Sequence, residues 1–408
     1  MTSATQPIGK AESTTLRGGS PSPASPQLHV GWSDDFHPDP ILNFQLNRWY
    51  QYGGPRWLGD VRPVLPKLTS LDAWKDTFLA LGEKALADGR PFHAALDLRA
   101  AEFFMTVDDP RKEPTRRRLL PLLRAGSGVP DSARRWVVFE GAQLPAWHFV
   151  PERSKGTFVV FGGYDSYIEE FFPWISKMRD DGWTVVAFEG PGQGTPLEES
   201  KTVITPEWHR AVGAILDAFA LDDVTLLGVS LGGCLVMRAA AFEPRVRRVI
   251  AFDVLSDFYA TLTSPLPAAM RALADAATSD EGKSRFDAAL REAMTKAPGL
   301  DWIVKQGLHV LGGKTPSDLY ALARNFQTRD VSGRIRQDVL LMAGTEDLAA
   351  PLDQAWEQGR LLTAARSTTI RVFTREEHAQ MHCQLGNTPL AVGLMGSWAE
   401  ERSRTRRA

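Results

Sequence analysis

The nine residues Thr225-Leu-Leu-Gly-Val-Ser-Leu-Gly-Gly233 constrain this chain more than any other stretch. Val224–Leu227 is an apolar run of strand length, and Cys234-Leu-Val-Met-Arg-Ala-Ala-Ala241 has the composition of a helix. Between them lies Gly-x-Ser-x-Gly, from Gly228 to Gly232. A serine on so short a strand-to-helix turn sits in a strained backbone conformation. The residues two before and two after it must lack a side chain, or they would collide with the strand and helix. The turn lifts the Ser230 hydroxyl above a sheet, and the helix N-terminus behind it favours developing negative charge. This is how a chain presents a nucleophile.

The sequence around the turn alternates strands and helices. Arg134–Phe139 and Leu144–Val150 read as an antiparallel hairpin around Glu140-Gly141-Ala142. Apolar strands follow at Thr157–Phe161, Trp183–Phe188, Val246–Phe252, Asp338–Met342 and Thr369–Phe373, with helices at Ile168–Arg179, Pro206–Ala220 and Pro389–Glu400. The expected class is α/β, a mostly parallel doubly wound sheet with helices on both faces. Before it, Pro40–Gln51, Ser70–Asp88, His93–Thr106 and Thr115–Ala125 carry apolar residues at helical spacing, with Pro110-Arg-Lys-Glu-Pro114 breaking the run. This block has no nucleophile, phosphate loop or metal spacing, so its expected job is to cover something. From Asp257 the alternation stops in an Ala-rich helical segment. The chain divides into a disordered Ser/Thr/Pro/Gly tail (1–30), an N-terminal helical domain (31–132), a first core part (133–256), a helical insertion above the carboxyl ends of the strands (257–327) and a second core part (328–408).

A net charge of −2 gives no excess that would suggest nucleic acid or an anionic membrane as partner. No apolar run is long enough to span a bilayer. The two cysteines, Cys234 and Cys383, form no disulfide framework, and the first residues lack the regions of a signal peptide. A cytoplasmic location is the expectation.

A serine hydroxyl is a poor nucleophile without a base, and the base needs an orienting acid. In this strand–turn–helix context the chain order is Ser, then acid, then His. Leu340-Leu-Met-Ala-Gly-Thr-Glu-Asp347 runs from a strand into a Gly-containing loop, so Asp347 is the expected acid and Glu346 the runner-up. The base should follow the last strand. Two histidines stand there, His378 and His382, and loop position does not separate them. The oxyanion donors should be the backbone N–H of Leu231, next to the serine, and that of Tyr164, in the loop after the first core strand. The acids Asp253 and Asp257 lie after the strand that follows the turn, and Asn43 and Asn47 lie in the first helix. The residues alone assign none of these four to the site.

Four motifs carry a family resemblance from about residue 36 to 401: Gly162-Gly-Tyr-Asp-Ser-Tyr-Ile-Glu-Glu170, Gly190-Pro-Gly-Gln-Gly194, Gly228-Val-Ser-Leu-Gly-Gly233 and His382-Cys-Gln384. With them the chain resembles α/β-hydrolases that have a helical N-terminal domain: FrsA-like esterases, fungal hydrolases that shorten polyketide naphthopyrones, and 2,6-dihydroxypseudooxynicotine hydrolase. The resemblance implies that His382 is the base and that the N-terminal helices cap Ser230; members often form dimers, so a homodimer is the expected assembly, and no cofactor is expected. It further implies a small-molecule substrate, medium-sized, aromatic or polyketide, cleaved at an ester or at a carbon–carbon bond beside a ketone. The alternative is a cyclase or acyltransferase that uses the same residues without water.

Overall fold

The computed structural model describes residues 26–405. Most of the expected disordered tail, residues 1–25, lies outside the described residues. From His29, whose N–H donates to Gln51 O at 2.8 Å, the chain is tied to the first helix.

Four helices come first: α1 (Pro40–Val61), α2 (Leu71–Ala87), α3 (Pro91–Phe103) and α4 (Lys112–Gly126). Asp39 caps α1 by accepting from the N–H groups of Ile41 and Leu42, with Pro40 in the first turn. The sequence pattern ends this helix at Gln51. The structure carries it to Val61 across a kink at Gly54-Pro55, where Gly54 takes φ +65° and Pro55 has no N–H to donate. The expected break at 110–114 also shifts: α4 already starts at Lys112, with Pro114 in its first turn, where a missing N–H costs nothing. The aromatics of these helices mostly fill the interior of this bundle. Trp49, Trp57, Trp74, Phe78 and Phe104 are buried together. Asn43 and Asn47 bind the lead-in segment: the two side-chain amides both donate to Ser33 O.

One buried carboxyl gives this bundle a pH signature. Asp97 in α3 accepts from Trp57 Nε1 at 2.7 Å, and burial pushes its pKa up to about 8. The folded protein therefore keeps a proton that the unfolded chain releases above its ordinary carboxylate range. Asp97's stabilising contribution is complete below that range and is lost as pH rises to about 8. The maximal slope for one proton is about 1.4 kcal/mol per pH unit. Asp97→Asn should flatten the fall in Tm between pH 5 and 8. Equal slopes in wild type and variant would show that Asp97 is ionised in the fold.

The sheet follows. Strands β1 (Arg134–Phe139), β2 (Ala142–Phe149) and β3 (Thr157–Phe161) lead to α5 (Phe172–Asp180) and β4 (Thr184–Phe188). Next come α6 (Gly194–Ser200), α7 (Trp208–Phe219), β5 (Val224–Val229), α8 (Gly232–Ala240) and β6 (Val246–Phe252). Five helices intervene, α9 (Phe258–Thr263), α10 (Ala268–Ala276), α11 (Asp280–Lys296), α12 (Pro298–Leu311) and α13 (Pro316–Ala323). The chain ends with β7 (Asp338–Gly344), α14 (Asp353–Leu361), β8 (Ser367–Phe373) and α15 (Thr388–Thr405). The eight strands are ordered β1-β2-β4-β3-β5-β6-β7-β8. β2 is antiparallel to β1 and β4, and every other pair is parallel. Alternate residues feed two cores: Val159 and Phe161 pack on one face, Phe158 and Val160 on the other. Helix α7 shows why such segments dock. Trp208, Ala211, Val212, Ile215 and Leu216 form one buried stripe at helical spacing.

The helices between β6 and β7 leave and rejoin the core at one place. Phe258 N–H donates to Phe326 O at 2.9 Å and Thr328 N–H to Ser256 O at 2.9 Å. Trp302 of α12 reaches the N-terminal bundle, donating from Nε1 to Phe103 O at 2.8 Å. No helix among the described residues is long and apolar enough to cross a membrane.

Candidate active site

Ser230 stands between β5 and α8 with φ +61°, a conformation that L-residues rarely adopt. Its N–H donates to Phe252 O at 2.6 Å, and its carbonyl accepts from Gly233 N–H at 2.7 Å. The surrounding glycines are required by contact. A Cβ on Gly228 would stand 2.0 Å from Gly232 O, one on Gly232 2.7 Å from Gly162 O, and one on Gly233 1.9 Å from Asp253 O.

The loops after β7 and β8 bring two more residues to this turn. His382 Nε2 lies 2.8 Å from Ser230 Oγ, and its Nδ1 lies 2.7 Å from Asp347 Oδ2. Asp347 Oδ1 accepts from the N–H groups of Ala349 and Ala350 at 2.6 and 2.8 Å, which fixes the carboxylate. Burial disfavours the imidazolium, but the Asp347 carboxylate outweighs it and holds the His382 pKa well above the ordinary imidazole value. Burial would likewise raise Asp347, and His382 outweighs it, so the carboxyl stays below its usual range.

The alternatives left open by the sequence lie elsewhere. Glu346 turns outward onto Arg375, with Oε1 2.8 Å from Nε. His378 is exposed. Asp257 caps α9 by accepting from Ala260 N–H. Asp253 does reach the site, a placement the sequence left undecided. It accepts from Cys383 N–H and from Gln384 Nε2, both at 2.7 Å, and its Oδ2 is 3.5 Å from His382 Nδ1. Burial, together with the neighbouring Asp347 charge, pushes its carboxyl pKa up. Asp253, His382 and Cys383 could converge on a cation, each offering one atom within 4.8 Å of the others. Both imidazole nitrogens are already engaged, so a metal there would dismantle the Ser230–His382–Asp347 array.

The loop after β3 presses on the turn. A Cβ on Gly163 would lie 2.7 Å from Val229 O, 2.8 Å from Leu231 N and 3.1 Å from Ser230 Cβ. The N–H groups of Leu231 and Tyr164 find no acceptor among the described residues. The Tyr164 hydroxyl donates to Ile303 O at 2.9 Å, which ties this loop to α12. A small polar cavity adjoins the loop, lined by Arg99, Glu102, Tyr164, Tyr167, Gln193 and Gln306 among others; Ser230 does not line it. Its charges are paired. Glu102 accepts from Arg99, Lys112 and Tyr167 at 2.6–2.8 Å, and Glu170 accepts from Arg48 and Arg99.

The strand order, the serine turn after β5, and the acid and imidazole on the loops after β7 and β8 give this chain the α/β-hydrolase fold. Residues 156–276 match the family model described as the alpha/beta hydrolase fold. Among curated proteins, the chain is 28% identical over 282 residues to the hydrolase acrC of Aspergillus aculeatus, covering 57% of this chain and 66% of that one. It is 30% identical over 237 residues to the 20-hydroxy-prefusarin hydrolase FUS2 of Gibberella moniliformis, covering 48% and 54%. The chain thus spans between half and two thirds of these relatives' length. Among solved structures it resembles 2,6-dihydroxy-pseudo-oxynicotine hydrolase, with TM-score 0.60 and 20% identity, over 88% of this chain and 95% of that one. At that identity the likeness speaks for the fold.

Proposed function

We propose that the protein is a serine hydrolase that cleaves an ester, or a carbon–carbon bond beside a ketone, in a medium-sized oxygenated substrate of polyketide or aromatic type. The observation that carries this reading is the continuous chain of short hydrogen bonds from Ser230 Oγ through His382 to Asp347. Ser230 Oγ adds to the carbonyl carbon while His382 Nε2 takes its proton. The imidazolium is held by Asp347, which keeps the proton on Nδ1. The tetrahedral oxygen is met by the free N–H groups of Leu231 and Tyr164, each worth about 3 kcal/mol of barrier. The leaving group departs as an alcohol or a stabilised carbanion, protonated by His382. Water, deprotonated by the same ring, then releases the acid. The name of the 20-hydroxy-prefusarin relative supports an oxygenated substrate. The N-terminal helices and α9–α13 serve as cover over the site, and the protein acts as a homodimer.

Intact mass after treatment with a small fluorophosphonate tests this. One adduct is expected on wild type, none on Ser230→Ala, and slow labelling on His382→Ala. In ¹⁸O-labelled water, hydrolysis places one solvent oxygen in the product acid, whereas internal capture by a cyclase places none. A folded wild type that stays unlabelled would sink the serine-hydrolase reading.

A further inference from the structure

The Gly190-Pro-Gly-Gln-Gly194 loop takes no part in the chemistry above, yet it is built to a close tolerance. Gly190 packs on Trp208, where a Cβ would lie 2.4 Å from Cη2. Gly192 has φ +76° and its Cβ would lie 2.3 Å from Ile204 N. Gly194 would strike the buried Glu189 carboxylate at 1.9 Å. Glu189 bridges the two loops by accepting from Ile168 N–H at 3.1 Å and Thr195 N–H at 2.7 Å. The shape these contacts impose aims one polar side chain, Gln193, which is 3% exposed.

Gln193 Oε1 accepts from Gly190 N–H at 3.0 Å. Its Nε2 donates to Gly162 O at 2.6 Å and Gly163 O at 3.2 Å. The amide orientation follows from the partners. Exchanging the two atoms would set an oxygen against two carbonyl oxygens and an NH2 against an N–H. One side-chain amide thus holds two consecutive peptide units by their carbonyls. In a trans peptide the N–H points opposite to the C=O. Pinning Gly162 O and Gly163 O toward Gln193 therefore turns the N–H groups of Gly163 and Tyr164 the other way. The Gly163 backbone lies against Leu231 N and Ser230 Cβ.

We propose that Gln193 is a positioning residue that presets the Tyr164 oxyanion donor by clamping the Gly162 and Gly163 carbonyls. The assignment rests on the serine-hydrolase reading. Without the clamp, either peptide could rotate and turn its oxygen toward the developing negative charge. A donor held in advance costs no reorganisation during the reaction, which is why the clamp bears on rate.

The test uses the full chain with p-nitrophenyl acetate as substrate and an aryl trifluoromethyl ketone as transition-state mimic. Active sites are counted by fluorophosphonate titration. Gln193→Met removes the donors at similar volume, and Gln193→Glu replaces the NH2 by an oxygen. In both, kcat per titrated site is expected to fall about a hundred-fold with KM unchanged. Affinity for the ketone should fall in parallel. The acid limb of the kcat/KM profile should stay in place, because His382 and Asp347 are untouched. A merely structural residue would lower the number of titrated sites and leave kcat per site alone, and that result overturns the proposal. So does loss of the fold in both variants. Wild type that neither labels nor hydrolyses the ester removes the hydrolase reading and this proposal together. Wild type that is active, with variants equal to it, removes only the proposal.

Discussion

Ser230→Ala is expected to lower kcat about a million-fold, the loss seen when the nucleophile of such an array is removed. The fold should survive. The Ser230 hydroxyl bonds only His382 among the described residues, and alanine suffers the same φ of +61° as serine. The variant should melt near wild type. The measurement is initial rate on an activated ester beside a melting curve. A variant that keeps even a tenth of the rate would mean that water, and not Ser230, attacks the substrate.

Asp347→Asn carries the second large effect, about ten-thousand-fold in kcat. The reason lies in the acid's own partners. Oδ1 is committed to the N–H groups of Ala349 and Ala350, so an asparagine keeps its oxygen there and presents NH2 to His382 Nδ1. The ring must then carry its proton on Nε2, facing Ser230, where it can no longer accept one. Glu346→Gln is the control. Its partner Arg375 is at the surface, so the rate should change by less than about twofold. In wild type, kcat/KM should be full at high pH and fall as pH drops through a pKa above the ordinary imidazole value. The base must be neutral, and Asp347 favours its charged form. If Asp347→Asn retained activity while Asp253→Asn lost it, the orienting acid would be Asp253, whose Oδ2 is 3.5 Å from His382 Nδ1.

Much of this arrangement was legible in the chain because its cause is local. Gly228, Gly232 and Gly233 announce a turn that tolerates no Cβ, and alternating apolar runs announce the sheet on which it sits. The order serine, acid, histidine then narrows the partners to two short loops. Within those loops the residues rank Asp347 ahead of Glu346 but do not separate His378 from His382. Glu346 and Asp347 are neighbours of similar chemistry, as His378 and His382 are in the next loop. The choice depends on which way each side chain leaves the backbone. In the structure, His378 takes φ +55° and is exposed, while Asp347 is fixed by the N–H groups of its own loop.

What the sequence by itself determined is the sheet, the strained serine turn and the chemical kinds of group that could serve it, because periodicity and steric exclusion act between near neighbours. What only the tertiary structure decided is how distant residues meet. Asp253 reaches the His382 loop across 130 positions, Gln193 clamps carbonyls 30 and 31 residues away, and Trp302 closes on Phe103 across 199. A hydrogen bond is directional and is lost within an ångström, so such meetings are set by the packed sheet and helices and leave no spacing in the chain to read.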